Sequence, residues 1–185
     1  MSWYELLLFA HISMAVVWIG GALMMQFFGM RAGSSGDPER VAHLGEDIEW
    51  IGLHVFVPAS LLAFATGILL VVESDAYGLG DDWIVIGLAV WAVSFLAGVL
   101  FFGPESGRVG ALVRASSPEA GSRMARLILL TRLELVLLFG LVYDMAVKPD
   151  LDDASSLLWG ALGMLGAGAL VLWRHASRPA PAAAP

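Results

Sequence analysis

The sequence predicts an all-α, polytopic membrane protein: five transmembrane helices in a bundle, with the N-terminus outside and the C-terminus inside. Two observations carry that prediction. Five long apolar stretches fill most of the 185 residues, and between them the arginines fall almost entirely on alternate connections. The composition agrees, with 58% hydrophobic residues and a mean hydropathy of +0.78. A water-soluble domain of this size could hardly cover so much apolar surface.

A hydrocarbon core about 30 Å thick takes about 20 apolar helical residues to cross. The stretches 3–30, 51–72, 83–102, 127–147 and 157–173 qualify. Arg31 and Arg40 follow the first; Arg108, Arg114, Arg123 and Arg126 separate the third from the fourth; Arg174 and Arg178 follow the fifth. The opposite connections hold only Lys148. Because Lys and Arg near span ends stay in the cytoplasm, this bias sets the orientation and implies a multi-pass protein of the inner (plasma) membrane. Glu73, Asp75, Asp81 and Asp82, with Asp150, Asp152 and Asp153, make the outer connections acidic. The net charge of -7 therefore sits in loops, and a nucleic-acid partner has no basic patch to bind.

The first span should be retained rather than cleaved as a signal peptide, since it lacks a basic start, a short apolar run and a small-x-small site. After it, Asp37-Pro38-Glu39 supplies a cap, a proline at the first helical position and an acid in the first turn. A helix should start there and run into the second span. In that span Pro58 reads as a kink and Gly67 as a close contact. Gly103-Pro104 should stop the third span, and Ser117-Pro118-Glu119 should start the helix leading into the fourth. The fifth carries Gly163-x-x-x-Ala167, a spacing that lets membrane helices pack closely or pair in a homo-oligomer or larger membrane complex. Residues 1–178 form one transmembrane domain, and the Pro/Ala run 179–185 is a disordered tail. There is no cysteine, so no thiolate ligand.

Ionisable groups inside a bilayer are costly enough to be functional suspects. This chain has His11, Arg132 and Glu134, with Glu5 and Asp144 nearer the outer edge. On the helical rise His11 lies about 12 Å deep, Glu134 about 21 Å and Arg132 about 24 Å. His11 reads either as a haem or metal ligand or proton relay, or as a packing residue hydrogen-bonded to a Ser, a Thr or a backbone carbonyl of a neighbouring helix, with Thr66 as one candidate. His54, about 28 Å deep, is too far from His11 to share an iron, whereas Met164, about 10 Å deep, is level with it. Arg132 and Glu134, two residues apart, point to different sides of their helix. Arg132 reads as a snorkelling side chain or a catalytic candidate. Glu134 reads as protonated, clasped within the bundle, or part of a proton path.

His11 followed by Trp18 and Gly20-Gly21, Val57-Pro58-Ala59 with Gly67, Leu133-Glu134 running to Val147-Lys148-Pro149, and a final helix after Asp150 together cover almost the whole chain. In these features it resembles an uncharacterised bacterial family of predicted integral membrane proteins. More distantly it is similar to the HemJ-type protoporphyrinogen IX oxidases and the CopD-like copper-resistance membrane domains. The resemblance implies a five-helix bundle and, from the HemJ-type enzymes, a haem b held by His11, with Glu134 matching an acidic residue of their fourth helix. The chain departs from those enzymes at the third span, where Trp83-Ile-Val-Ile-Gly87 has neither the histidine nor the lysine of their Trp-Leu-His-x-Lys start. The functional expectation is a haem b-binding redox or electron-transfer membrane protein using His11 and Met164. The alternative is a non-enzymatic membrane subunit or small transporter in which His11 and Glu134 relay protons or clasp helices.

Overall fold

The computed structural model describes residues 2–177. Among them five long helices run up and down: α1 Trp3–Gly33, α2 Pro38–Val72, α3 Asp82–Arg114, α4 Ala120–Val147 and α5 Ala154–Ala176. The tail expected at 179–185 lies outside the described residues. α1, α2, α3 and α5 are each long and apolar enough to cross a membrane. α4 has the length, 28 residues, yet every 18-residue stretch of it carries three or more Arg, Asp or Glu. Arg132, Glu134 and Asp144 are what set it apart from the other four.

Local chemistry accounts for the helix starts. Ser2 Oγ accepts from the Glu5 backbone N–H while the Glu5 carboxylate accepts from that of Ser2, at 3.2 and 2.7 Å. This capping box gives Glu5 a structural use. Asp37 accepts from the backbone N–H groups of Glu39 and Arg40, with Pro38 opening α2 as expected. Asp153 caps α5, and its bonds from Ser156 and Ser155 pull its carboxyl down to about 2.

Two expectations about proline need correction. Gly103-Pro104 does not stop α3, which continues to Arg114. A proline lacks an N–H and its ring crowds the carbonyl four residues back. Here Pro104 follows a π turn, Gly98–Phe102, in which the Gly103 N–H donates to the Gly98 carbonyl five residues back. Pro58 follows an identical device, Gly52–Phe56, where the Val57 N–H donates to the Gly52 carbonyl. In each, the widened turn begins at a glycine six residues before the proline and makes room for the ring, so the helix goes on. Ser117-Pro118-Glu119 does not cap α4 either. Ser116 is left-handed at φ 51° and Ser117 Oγ accepts from Glu119 N within the turn, so the serine serves the turn and α4 begins uncapped at Ala120.

α1 has a third π turn, Val16–Gly20, and the three π turns lie side by side at one level of the bundle. The core lies at this level and on its side away from the arginine-bearing connections, where Leu138 and Leu141 of α4 meet Trp18 and Ile19 of the α1 π turn and Ala59 of α2. Toward the arginine-bearing connections, α2 and α3 touch backbone to backbone. A Cβ on Gly45 would lie 2.6 Å from the Ser106 carbonyl oxygen, and one on Gly110 would lie 2.8 Å from that of Ala42. Small residues permit that approach. An exposed ion pair, Glu46 with Arg114, and a part-buried one, Glu105 with Arg123, flank it; the exposed pair adds little in water.

α5 stands apart. It buries no residue and packs along α4, where Tyr143 donates to the Ser156 carbonyl at 2.8 Å, Tyr143 covers Gly160 and Met164 covers Gly140. At the C-terminal end of α4 the only lysine is occupied. Lys148 Nζ donates to Tyr77 Oη at 2.9 Å and lies 4.2 Å from that ring's centre.

Candidate functional site

His11 sits on the outer side of the π-turn level, against α2. Its Nδ1 is 2.7 Å from the Ala63 carbonyl oxygen. A carbonyl only accepts, so Nδ1 carries the proton and Nε2 of the neutral ring is the acceptor. The partner is thus a backbone carbonyl rather than Thr66, whose hydroxyl donates to the same Ala63 oxygen at 3.1 Å and to that of Leu62. The ring fits where Gly67 has no side chain: a Cβ there would meet Cε1 at 3.0 Å. Gly67 is the close contact read from the sequence, and its neighbour is His11.

Met164 belongs to another helix pair, with its sulfur against Gly140 of α4. His11 lines neither of the two large cavities, and Met164 lines the groove between α4 and α5. The chain therefore does not bring the expected His11/Met164 donor pair onto one space, and that pair does not fit a haem. Nor do the described residues gather three or more His, Asp or Glu as a metal site would. His54 is on the exposed side of α2, stacked on Trp50 and bonded to its carbonyl.

Arg132 and Glu134 diverge as their spacing requires. Arg132 lines the α4–α5 groove, and Glu134 lines a second cavity of about 640 Å³ enclosed by α1, α2, α3 and α4. This cavity begins beneath the core, at Trp18, Ser60 and Leu138, passes the π turns at Phe56 and Gly98, and reaches the connections near Pro38 and Ala120. Its walls are mostly aliphatic and aromatic. No hydrogen bond or ion pair to the Glu134 carboxyl occurs among the described residues.

The same cavity is lined by a serine that no sequence motif singles out. Ser94 is 2% exposed, lines the same cavity, and its Oγ has no hydrogen-bond partner. The other buried serines are satisfied within their own helices, Ser60 by the Val57 carbonyl and Ser106 by that of Phe102. A membrane-helix serine usually returns to its own backbone in this way. One that does not is unusual, because a buried polar group without a partner costs about 1–3 kcal/mol. The available signal was a lone hydroxyl within the apolar run of α3. Nearby, Trp91 Nε1 donates to the Ser60 carbonyl at 3.2 Å and stacks between Phe64 and Phe95, which fixes one aromatic wall. A second orphan, Asp144 Oδ2, lies outside this cavity against Gly87 near the outer end of α3.

The arrangement is what a small-molecule site in a membrane bundle requires. It offers an apolar volume within the usual 300–1,000 Å³ range and a few convergent polar groups. The acid can accept or, when protonated, donate, and the hydroxyl can do both.

No curated protein and no solved structure matches the chain. Residues 5–149, from the first turn of α1 to the end of α4, match the family described as Predicted integral membrane protein (DUF2269). The apolar helices agree with that match, and the chain belongs to the DUF2269 family of predicted integral membrane proteins.

Proposed function

We propose that this is a five-span protein of the inner membrane, N-terminus outside and C-terminus inside, whose inner cavity binds a lipid-soluble small molecule. The ligand's polar head is held by Glu134 and Ser94. The observation that carries this reading is that one largely apolar cavity is lined by both Glu134 and Ser94, for whose carboxyl and hydroxyl the described residues supply no hydrogen-bond partner. Counting α4 as a span follows from its 28 residues and from the alternation of arginines, which needs a crossing between Arg126 and Lys148. A periplasm-dependent reporter fused after residue 178 should be inactive; an active one contradicts this orientation.

In this reading His11 is a clasp between α1 and α2 rather than an iron ligand, and Glu134 is the functional group. The non-enzymatic binding or transport role is favoured over haem redox chemistry because His11 is bonded to the backbone and lines neither large cavity. A Soret band in purified protein that disappears in His11→Ala would reverse the assignment. Organic extraction of detergent-purified protein, followed by mass spectrometry, should yield a non-phospholipid molecule near one per chain. Glu134→Leu should reduce it about tenfold, the effect of losing one hydrogen bond to a charged or strongly polar group. Equal recovery from the variant, or none from the wild type, contradicts the proposal.

A further inference from the structure

The groove between α4 and α5 is separate from that cavity and differs in charge. It encloses about 590 Å³ and is lined by apolar residues of both helices, by Gln26 and Met30 of α1, and by Arg132 and Arg174. No carboxylate lines it. Met164 packs on Gly140 and Tyr143 on Gly160; extending that antiparallel register brings Arg132 of α4 level with Arg174 near the end of α5. The two cations thus share one end of the groove, and the apolar walls run from them toward Trp159. Gly163 of α5, which lines the groove, has nothing within 4 Å of an added Cβ, so α5 leaves its side of the groove open there.

We propose that this groove is a specific site for an anionic phospholipid of the inner leaflet, with its phosphate between Arg132 and Arg174 and one acyl chain along the open face of α5. Charge complementarity selects this occupant. Two guanidiniums and an amide at the headgroup level, with no acid among the described residues that line the groove, suit a phosphate. An apolar channel above them suits its chain. Basic pockets between helices on the cytoplasmic side are where such headgroups bind.

The test uses the full chain in detergent and native mass spectrometry, with phosphatidylglycerol and phosphatidylcholine of identical acyl chains offered at equal mole fraction. The wild type should retain phosphatidylglycerol preferentially. Arg174→Gln, at an exposed helix end and so safe for folding, should lower that preference about fivefold, the attraction expected of one basic residue for an anionic membrane surface. Arg132→Gln should do the same if it folds. Arg40→Gln, exposed in the first turn of α2 and outside the groove lining, should leave the preference unchanged. Equal retention of the two lipids by the wild type overturns the proposal, as does an unchanged preference in Arg174→Gln. Inorganic phosphate that displaces the lipid and protects against thermal unfolding equally well would reassign the site to a free anion. A lipid-independent dimer that blocks retention would assign the face to a second copy.

Discussion

His11 and Glu134 are both ionisable residues within apolar helices, and the chain treats them in opposite ways. Around His11 everything is closed: the ring is bonded to Ala63, fitted over Gly67, and the carbonyl it uses is shared with Thr66. Glu134 instead lines a cavity of about 640 Å³ whose lining includes the hydroxyl of Ser94, unpartnered among the described residues, and three π turns widen the helices at the level where packing gives way to space. A polar group that is satisfied and packed contributes to the fold. One left unsatisfied costs stability, and a binding site is the simplest reason for a chain to carry that cost.

Removing each side chain should separate the two regions. His11→Ala forfeits a bond worth about 0.6 kcal/mol on average in membrane helices plus the packing of the ring, for a total of about 2 kcal/mol. Glu134→Leu should leave stability unchanged or raised, since it replaces an unpartnered acid by an apolar group in an apolar cavity. Unfolding of both variants by dodecyl sulfate in mixed micelles reads the difference, and the opposite order would break the comparison.

A finer probe of the closed region is Gly67→Ala set against Gly20→Ala. Both gain the same helix propensity, but only the first meets a fixed neighbour, and nothing lies within 4 Å of a Cβ at Gly20. Gly67→Ala should be the less stable of the two by about 1 kcal/mol; equal stabilities would mean that the ring is free to move. The smallest effect belongs to the open region. Ser94→Ala deletes a hydroxyl that has no partner, so it should shift stability by less than about 0.5 kcal/mol, upward if at all. A clear loss of stability would show that Ser94 has a bonding partner in the bundle and remove it from the site.

The sequence made the five helices legible because length and hydropathy are local properties. It also showed that Arg132 and Glu134 diverge, which follows from a spacing of two. The continuation through Pro104 was hidden because the compensating device is a change of hydrogen-bond register, and that is visible only as Gly52 and Gly98 standing six residues before their prolines. Depth along the helix axis could place Met164 level with His11, but not decide which helices are neighbours, and in the fold they belong to different pairs. Ser94 escaped notice because its role rests on the absence of a bond most serines make, and no pattern of residues encodes an absence.

The central claim is that the open region around Glu134 holds a lipid-soluble ligand. Photolabelling in native membranes with a diazirine-bearing dodecanol, followed by peptide mapping, tests it most directly. The account predicts labels on α3 near Ser94 and on α4 near Glu134, reduced about tenfold in Glu134→Leu and retained in Glu134→Gln, which keeps the hydrogen-bonding capacity. Labels spread evenly over the lipid-facing sides of the helices, with the same pattern in Glu134→Leu, would contradict it.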